Sequence, residues 1–244
     1  MIKSLMSVFA FIIGAYLFFC GGVLYLNAVD NSLSEEDREY ARFYLGRGDF
    51  FIESLLYEEE VKLISLVQSS VLKIAPIDKG IPIDKERELK DLYLAGRGEC
   101  YDRSRAIEKL LRYVGFKTRH VALYLIRGKD SAMRSILTYP NTSHAVTEVL
   151  TKRGWLAVDS NNYWLSVDAR GNPIPIEEIQ RRQRVNIEIE WADPPPSPMY
   201  TWPFSFVYGL YSRHGRFYPP YNAIPDINYQ EFLDNFFELN RPGF

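Results

Sequence analysis

Residues 96–115 read GRGECYDRSRAIEKLLRYVG, and this stretch decides the fold. Ala106, Ile107, Leu110, Leu111 and Val114 recur at three- and four-residue spacing, which marks one apolar face of a helix opening at Cys100. Ala95-Gly96-Arg97-Gly98 breaks any helix before it, and Gly115 fits the position after its end. A thiol at the first position of a helix meets the positive end of the dipole and N–H groups without partners, and both favour thiolate. Its own N–H would face a substrate carbonyl as an oxyanion donor. The glycines ahead of it would let a substrate backbone come close. A lone cysteine is otherwise commonly an inert core residue, so Cys100 as nucleophile depends on what the rest of the chain brings to it.

Downstream the period changes from that of a helix to that of a strand. Thr118–Ile126, Ser143–Leu150 and Trp155–Asp159 read as strands, with Thr151-Lys152-Arg153-Gly154 joining the last two. If this hairpin closes with Leu150 opposite Trp155, Val146 falls opposite Asp159. His144, two residues back, then shares the face of Asp159 on the adjacent diagonal. A register with His144 directly opposite Asp159 gives the same face, whereas a one-residue slip separates them. The pattern therefore predicts that Asp159 orients the His144 imidazole. His144 in turn would hold Cys100 as thiolate and later protonate a leaving group. Tyr163–Val167 and Val185–Trp191 read as two more strands, and Ile176–Arg184 as a short helix.

Upstream, Ser34-Glu35-Glu36-Asp37 has the form of an N-cap with an acidic first turn, opening a helix to about Leu45. A second helical pattern runs from Phe51 to Ile74 and stops at Pro76. A third runs from Asp84 to Leu94, after a loop over Ile77–Pro82. Helices in one block followed by strands in another predict α+β. Leu5–Leu26 carries no charge and would span roughly 33 Å as a helix, enough to cross a bilayer. It is longer than a signal-peptide apolar region, so it reads as a single-pass anchor. Lys3 on the short tail favours an N-in orientation, with the soluble part periplasmic or extracellular. The expected organisation is an anchor over 1–28, a polar linker over Asp30–Ser34 and a catalytic domain over 29–191. The proline cluster Pro194–Pro198 then opens a Pro- and aromatic-rich extension over 192–244 that packs on the core and ends in a helix from Tyr229 to Leu239.

The 244 residues are 47% hydrophobic and 25% charged, as in a folded chain. A net charge of -2 argues against nucleic acid as partner. Of the two cysteines, Cys20 falls in the apolar segment, so the soluble part has no disulfide and no Cys-based zinc site. No His, Asp or Glu set has metal spacing, so neither metal nor cofactor is expected. Glu148 shares the face of His144 and could reach the site, though a packed carboxylate is the plainer reading. Trp155 reads as a core or cleft wall, Arg119 as a salt-bridged structural residue, and His120 lacks a metal partner. Asn161 and Asn162 read as turn residues able to donate near the site, and His214 as part of an exposed loop. Tyr200, Trp202, Phe204, Phe206, Tyr208, Tyr211, Phe217, Tyr218 and Tyr221 either cover the core or form a partner-binding or membrane-facing surface. The first is the preferred reading.

Gly98-Glu99-Cys100 with Asp102, the following helix, Gly115-Phe116 and Arg119-His120-Val121 resembles the transglutaminase-like superfamily. So does Ser143-His144-Ala145 with Glu148, Gly154-Trp155 and Asp159, and together the likeness covers roughly residues 96–168. The resemblance implies a papain-like core, with the cysteine helix packed on an antiparallel sheet and the triad Cys100, His144 and Asp159. It implies cleavage or transfer of an acyl group at an amide or ester through a thioester, as in a cysteine peptidase, an amidase or a cross-linking acyltransferase. No acidic loop resembles those that bind calcium in the animal enzymes. A bacterial chain acting on a protein or cell-envelope substrate is the expected setting. The alternative is a non-catalytic module on the same fold that binds protein or polysaccharide. The sequence does not fix an oligomeric state.

Overall fold

A computed structural model describes residues 2–46, 48, 50, 52–82, 85–126, 128, 131–217 and 225–236. Five helices come first: α1 (Ile2–Leu26), α2 (Glu35–Leu45), α3 (Tyr57–Ile74), α4 (Leu89–Ala95) and α5 (Cys100–Tyr113). Strand β1 (Thr118–Leu125), helix α6 (Ala132–Leu137), strands β2 (Ser143–Thr151) and β3 (Gly154–Val158) and helix α7 (Ile176–Arg184) follow. The chain continues through β4 (Phe204–Tyr208), β5 (Leu210–Arg213), β6 (Arg216–Phe217), β7 (Asp226–Ile227) and α8 (Tyr229–Phe232). Helices precede an antiparallel sheet of order β3-β2-β1-β4, which is the expected α+β arrangement.

Local chemistry sets the helix starts. The Asp37 N–H donates to Ser34 Oγ at 3.0 Å while Asp37 Oδ2 accepts from the Ser34 N–H at 2.9 Å, a closed capping box opening α2. Helix α3 starts at Tyr57 rather than near residue 51. The Glu59 carboxylate accepts from the Leu56 N–H at 2.7 Å there, and Ile52–Ser54 is a separate 3₁₀ turn. The third helix is shorter than expected and opens at Leu89. Arg87 donates back to the carbonyls of Lys85 and Pro82, which keeps the preceding residues out of the helix. Phe51, Asp84, Tyr218, Tyr221 and residues 237–239 lie outside the described residues.

The hairpin register pairs Leu150 with Trp155 and Thr147 with Val158, the register that places His144 and Asp159 on one face. Two expected strands do not form. Tyr163–Val167 makes only isolated bridges, from Leu165 to Val158 and from Val167 to Pro173. Val185–Trp191 alternates like a strand, yet Val185 and Ile187 are 54% and 52% exposed, and only Trp191 bridges, to Asp168. The free edge of β1 is taken by β4, from beyond the proline cluster. Phe204 and Tyr208 are buried with Val121, Leu123, Ile176 and Ile179 on one face of the sheet, and Ile189 and Trp191 pack against the same cluster from outside the sheet. The aromatics Tyr200, Phe204, Tyr208 and Tyr211 are thus core residues, while Trp202 is exposed. The opposite face packs Ile64, Val67, Val71, Leu92, Ile107, Leu110 and Leu111 against Val149, Leu156 and Val158.

Helix α5 lies on this face between the sheet and helices α3 and α4, and is buried on all sides, not only along its apolar stripe. Arg103, Arg105, Glu108 and Lys109 are all buried. Charges taken out of water need partners. The Lys109 ammonium meets Asp37 at 2.7 Å and also Glu88. Arg105 meets Glu88 at 3.2 Å and bonds Asn31. Asn31 Nδ2 donates to Glu108 at 2.7 Å and to Glu231 at 2.6 Å, and Arg112 meets Glu231 at 2.8 Å.

The segment after α1, read as a polar linker, is therefore part of the domain. The Val29 N–H donates to the Ile227 carbonyl and the Ile227 N–H to the Asn27 carbonyl, each at 2.9 Å. Within α1, Phe9–Leu26 has a mean hydropathy of 2.1 and none of it is buried, so it is long and apolar enough to cross a membrane. Asn31→Ala should strip a donor from two buried carboxylates and cost about 2–3 kcal/mol. In thermal unfolding of the full chain in detergent, that is a Tm lower by roughly 5–10 °C. An unchanged Tm would return this segment to the status of a linker.

Candidate active site

Cys100 is the first residue of α5 and is partly exposed. Its position is set by the cap. Asp102 Oδ2 accepts from the N–H of Glu99 at 3.0 Å and of Ile81 at 3.1 Å, and Arg87 Nε lies 3.3 Å from Asp102 Oδ1. The Cys100 N–H belongs to the first turn, where no intrahelical acceptor exists, so it is available to an incoming oxygen. The glycines ahead of it serve the chain itself. Gly96 ends α4 in the left-handed region, at φ 58. A Cβ on Gly98 would fall 2.7 Å from Leu92 Cδ1 and 3.1 Å from Asp102 Cβ. A side chain at residue 98 would disturb the close packing of the loop on α4 and α5.

His144 is the second residue of β2 and is buried. Its Nε2 lies 3.0 Å from Asp159 Oδ2, and Cys100 is near enough to act on its protonation. Asp159 follows β3 and is fully buried. Its Oδ1 accepts from the N–H groups of Asn161 and Asn162, both at 2.6 Å, and Oδ2 accepts from the Tyr200 hydroxyl at 2.5 Å. The turn itself is clamped from α3, where Gln68 Nε2 donates to the carbonyls of Asp159, Asn162 and Trp164 at 2.7, 3.0 and 2.9 Å. Every acceptor direction of this carboxylate is in use, and all its donors fit the ionised form.

The electrostatics follow. Burial disfavours the His144 imidazolium, but the charge and hydrogen bond of Asp159, then those of Cys100, outweigh it and raise its pKa to about 10. Burial works against the Asp159 carboxylate too. His144, Tyr200 and the Asn161 N–H overcome it and hold its pKa down at about 2. Burial and the adjoining Asp159 push Tyr200 well above its usual value, so it remains a donor at neutral pH.

The three residues singled out from the sequence are thus brought together. Tyr200, Gln68 and Arg103 were not foreseen at the site. Gln68 left a signal, because it interrupts the apolar stripe Ile64, Val67 and Val71 of α3. Tyr200 lies in an irregular stretch without a periodic pattern. Glu148 does not reach the site; it accepts from Arg119 at 2.7 Å and from the Ile176 N–H at 2.6 Å. The Arg119 guanidinium sits 4.1 Å over the Trp155 ring. His120 is stacked on Tyr211 with ring centroids 4.1 Å apart, and burial lowers its pKa to about 4. His214 is exposed, yet its Nε2 lies 2.6 Å from Glu99 Oε2, beside the Cys100 helix start. Among the described residues no cluster of three or more His, Cys, Asp or Glu is placed to hold a metal.

Residues 59–160 match the model of the transglutaminase-like superfamily. Among solved structures, the chain is similar to a presumptive cysteine protease from Cytophaga hutchinsonii, at 14% identity and a TM-score of 0.36. That likeness covers 59% of this chain and 43% of the other, so the chain spans less than half of that relative's length. A comparison with curated proteins gives no match.

The pair makes stability depend on pH with a defined sign. The raised His144 pKa contributes fully below its unfolded value of 6.5 and is lost as pH rises toward about 10. The depressed Asp159 pKa contributes fully above 3.8 and is lost as pH falls toward about 2. The stability advantage of the wild-type chain over His144→Gln, from denaturant unfolding, should therefore be largest between pH 3.8 and 6.5 and shrink on both sides. A difference that stays flat from pH 6.5 to 10 would contradict the ion pair.

Proposed function

We propose that the chain is a thiol enzyme that cleaves or transfers acyl groups at amides or esters, with Cys100, His144 and Asp159 as its triad, a reading supported by the match of residues 59–160 to the transglutaminase-like superfamily. One observation carries the reading: a buried imidazole held by a buried carboxylate, with the cysteine of a helix N-terminus among the groups that set its protonation. Nucleophile, base and orienting group are the parts that acyl transfer needs.

In the proposed reaction the Cys100 thiolate adds to the carbonyl carbon, and the oxygen takes up the negative charge opposite the Cys100 N–H. Collapse breaks the bond to the amine or alcohol, which leaves with the proton from His144, and a thioester remains on Cys100. Water or an amine then gives a proton to His144 as it attacks, and the thiolate is released. Hydrolysis and transfer share this course. Asp159, held by Tyr200 and the two asparagine N–H groups, fixes the imidazole orientation throughout.

We also propose that α1 is a retained anchor rather than a leader that is removed, with the domain outside the cytoplasm and a protein or cell-envelope substrate. The Asn27 side chain donates to the Val23 carbonyl at 2.7 Å and the Tyr229 hydroxyl to the Leu24 carbonyl at 3.0 Å. Cleavage near the end of α1 would therefore cut into contacts that join it to the domain.

Iodoacetamide modification of the full chain in detergent, with Cys20→Ser so that Cys100 is the sole thiol, tests the triad. An ordinary thiol is only about 0.3% thiolate at pH 6. Modification at pH 6 should be fast and should fall at least about tenfold in His144→Ala. Equal, slow rates in the two would sink the enzyme reading and favour a binding module on the same fold.

A further inference from the structure

Arg103 lies three residues after Cys100, hence on the same side of the first turn of α5, where side chains at this spacing are neighbours. It is 1% exposed. Its Nη2 donates to Asn161 Oδ1, and the Asn161 N–H in turn holds Asp159 at 2.6 Å. Its Nε is buried with no hydrogen-bond partner among the described residues. Burial pulls its pKa below the usual arginine value. Cys100 and then Asp159 oppose this, so both lie within electrostatic reach of the guanidinium.

The other charges around this point are already matched. Glu99 is paired with Arg213 and His214, and Asp102 with Arg87. His144 is engaged by Asp159, and Tyr200 is a neutral donor. A thiolate, an imidazolium and a carboxylate together leave one net negative charge in a buried place, which is costly unless a cation stands by. Arginine is the residue that stays charged there.

Resting on the triad reading, we propose that Arg103 is a positioning residue whose fixed positive charge holds Cys100 as thiolate, over and above what His144 contributes. The plainer view is that Arg103 only braces Asn161, and the two views separate on a pH profile.

The test is the pH at which iodoacetamide modification of Cys100 reaches half its maximal rate, in the full chain carrying Cys20→Ser. Arg103→Gln can keep a donor toward Asn161 but loses the charge, and its half-maximal pH should rise by about one unit, roughly a tenfold loss of rate on the acid side. Arg103→Lys keeps the charge and should restore most of that shift. Asn161→Ala removes the brace and leaves the charge, so it should not move the profile. If Arg103→Gln does not fold, Arg103→Met, which also loses the charge, is read in its place. A shifted Asn161→Ala profile, or a lysine profile shifted as far as that of the uncharged variant, overturns the charge role. A wild-type profile that is acid-shifted and His144-dependent but unmoved by Arg103→Gln overturns this inference alone. A wild-type profile like that of an ordinary thiol, insensitive to His144→Ala, overturns the triad reading and this inference with it.

Discussion

Burying α5 on every side is the constraint on which the rest of the structure depends. A helix with one apolar stripe would ordinarily leave its charged face in water. Here Arg105, Glu108 and Lys109 are enclosed, and each enclosed charge recruits a partner from a different part of the chain. Asp37 comes from α2, Glu88 from the start of α4 and Asn31 from the segment after α1, while Glu231 of α8, a like charge to Glu108, is held by Asn31 and Arg112. Such pairs add little net stability over an apolar core, but losing one partner is costly because the other charge stays buried. The network therefore acts as a specification: it ties α8 and the segment after α1 to one helix and makes that segment part of the domain.

Fixing that helix also fixes the candidate site. Cys100 is where α5 begins, and its place is set by the cap that Asp102 closes and by the glycine loop packed on Leu92. The other two residues come from one hairpin whose register puts them on a common face. What turns this proximity into a defined charge state is the saturation of Asp159. Donors from the Asn161–Asn162 turn, Tyr200 and His144 leave it no reason to carry a proton, so the pair settles as carboxylate and imidazolium.

The parts legible in the sequence were those governed by local rules. The start of α5 at Cys100, the capping box at Ser34, helix α7 and the hairpin register all follow from periodicity, caps and turn length, which act over a few residues. The failures share a cause. Val185–Trp191 has strand-like alternation, but β4 competes for the same sheet edge and brings Phe204 and Tyr208 to bury. Asp30–Ser34 looks like a linker because its partners lie far along the chain. Tyr200 reaches the site only through a tertiary contact of that kind.

The raised pKa of His144 poses a question for the proposed reaction, since a strongly held proton makes a reluctant acid. Its answer lies in what holds the proton. Burial opposes the imidazolium, and Asp159 and Cys100 together overcome that opposition. Once the sulfur has bonded to the substrate carbonyl it is no longer an anion, and one of the two groups supporting the imidazolium is gone. Burial then weighs more heavily, the proton becomes easier to release, and it does so at the step when the departing amine or alcohol must accept it. In the role proposed for Arg103, its counter-charge is consumed at the same moment. Its charge then discourages a second cation beside it, which again favours passing the proton on. In that arrangement the depth of the site serves both halves of the cycle, holding the ion pair at rest and loosening it when the thioester forms.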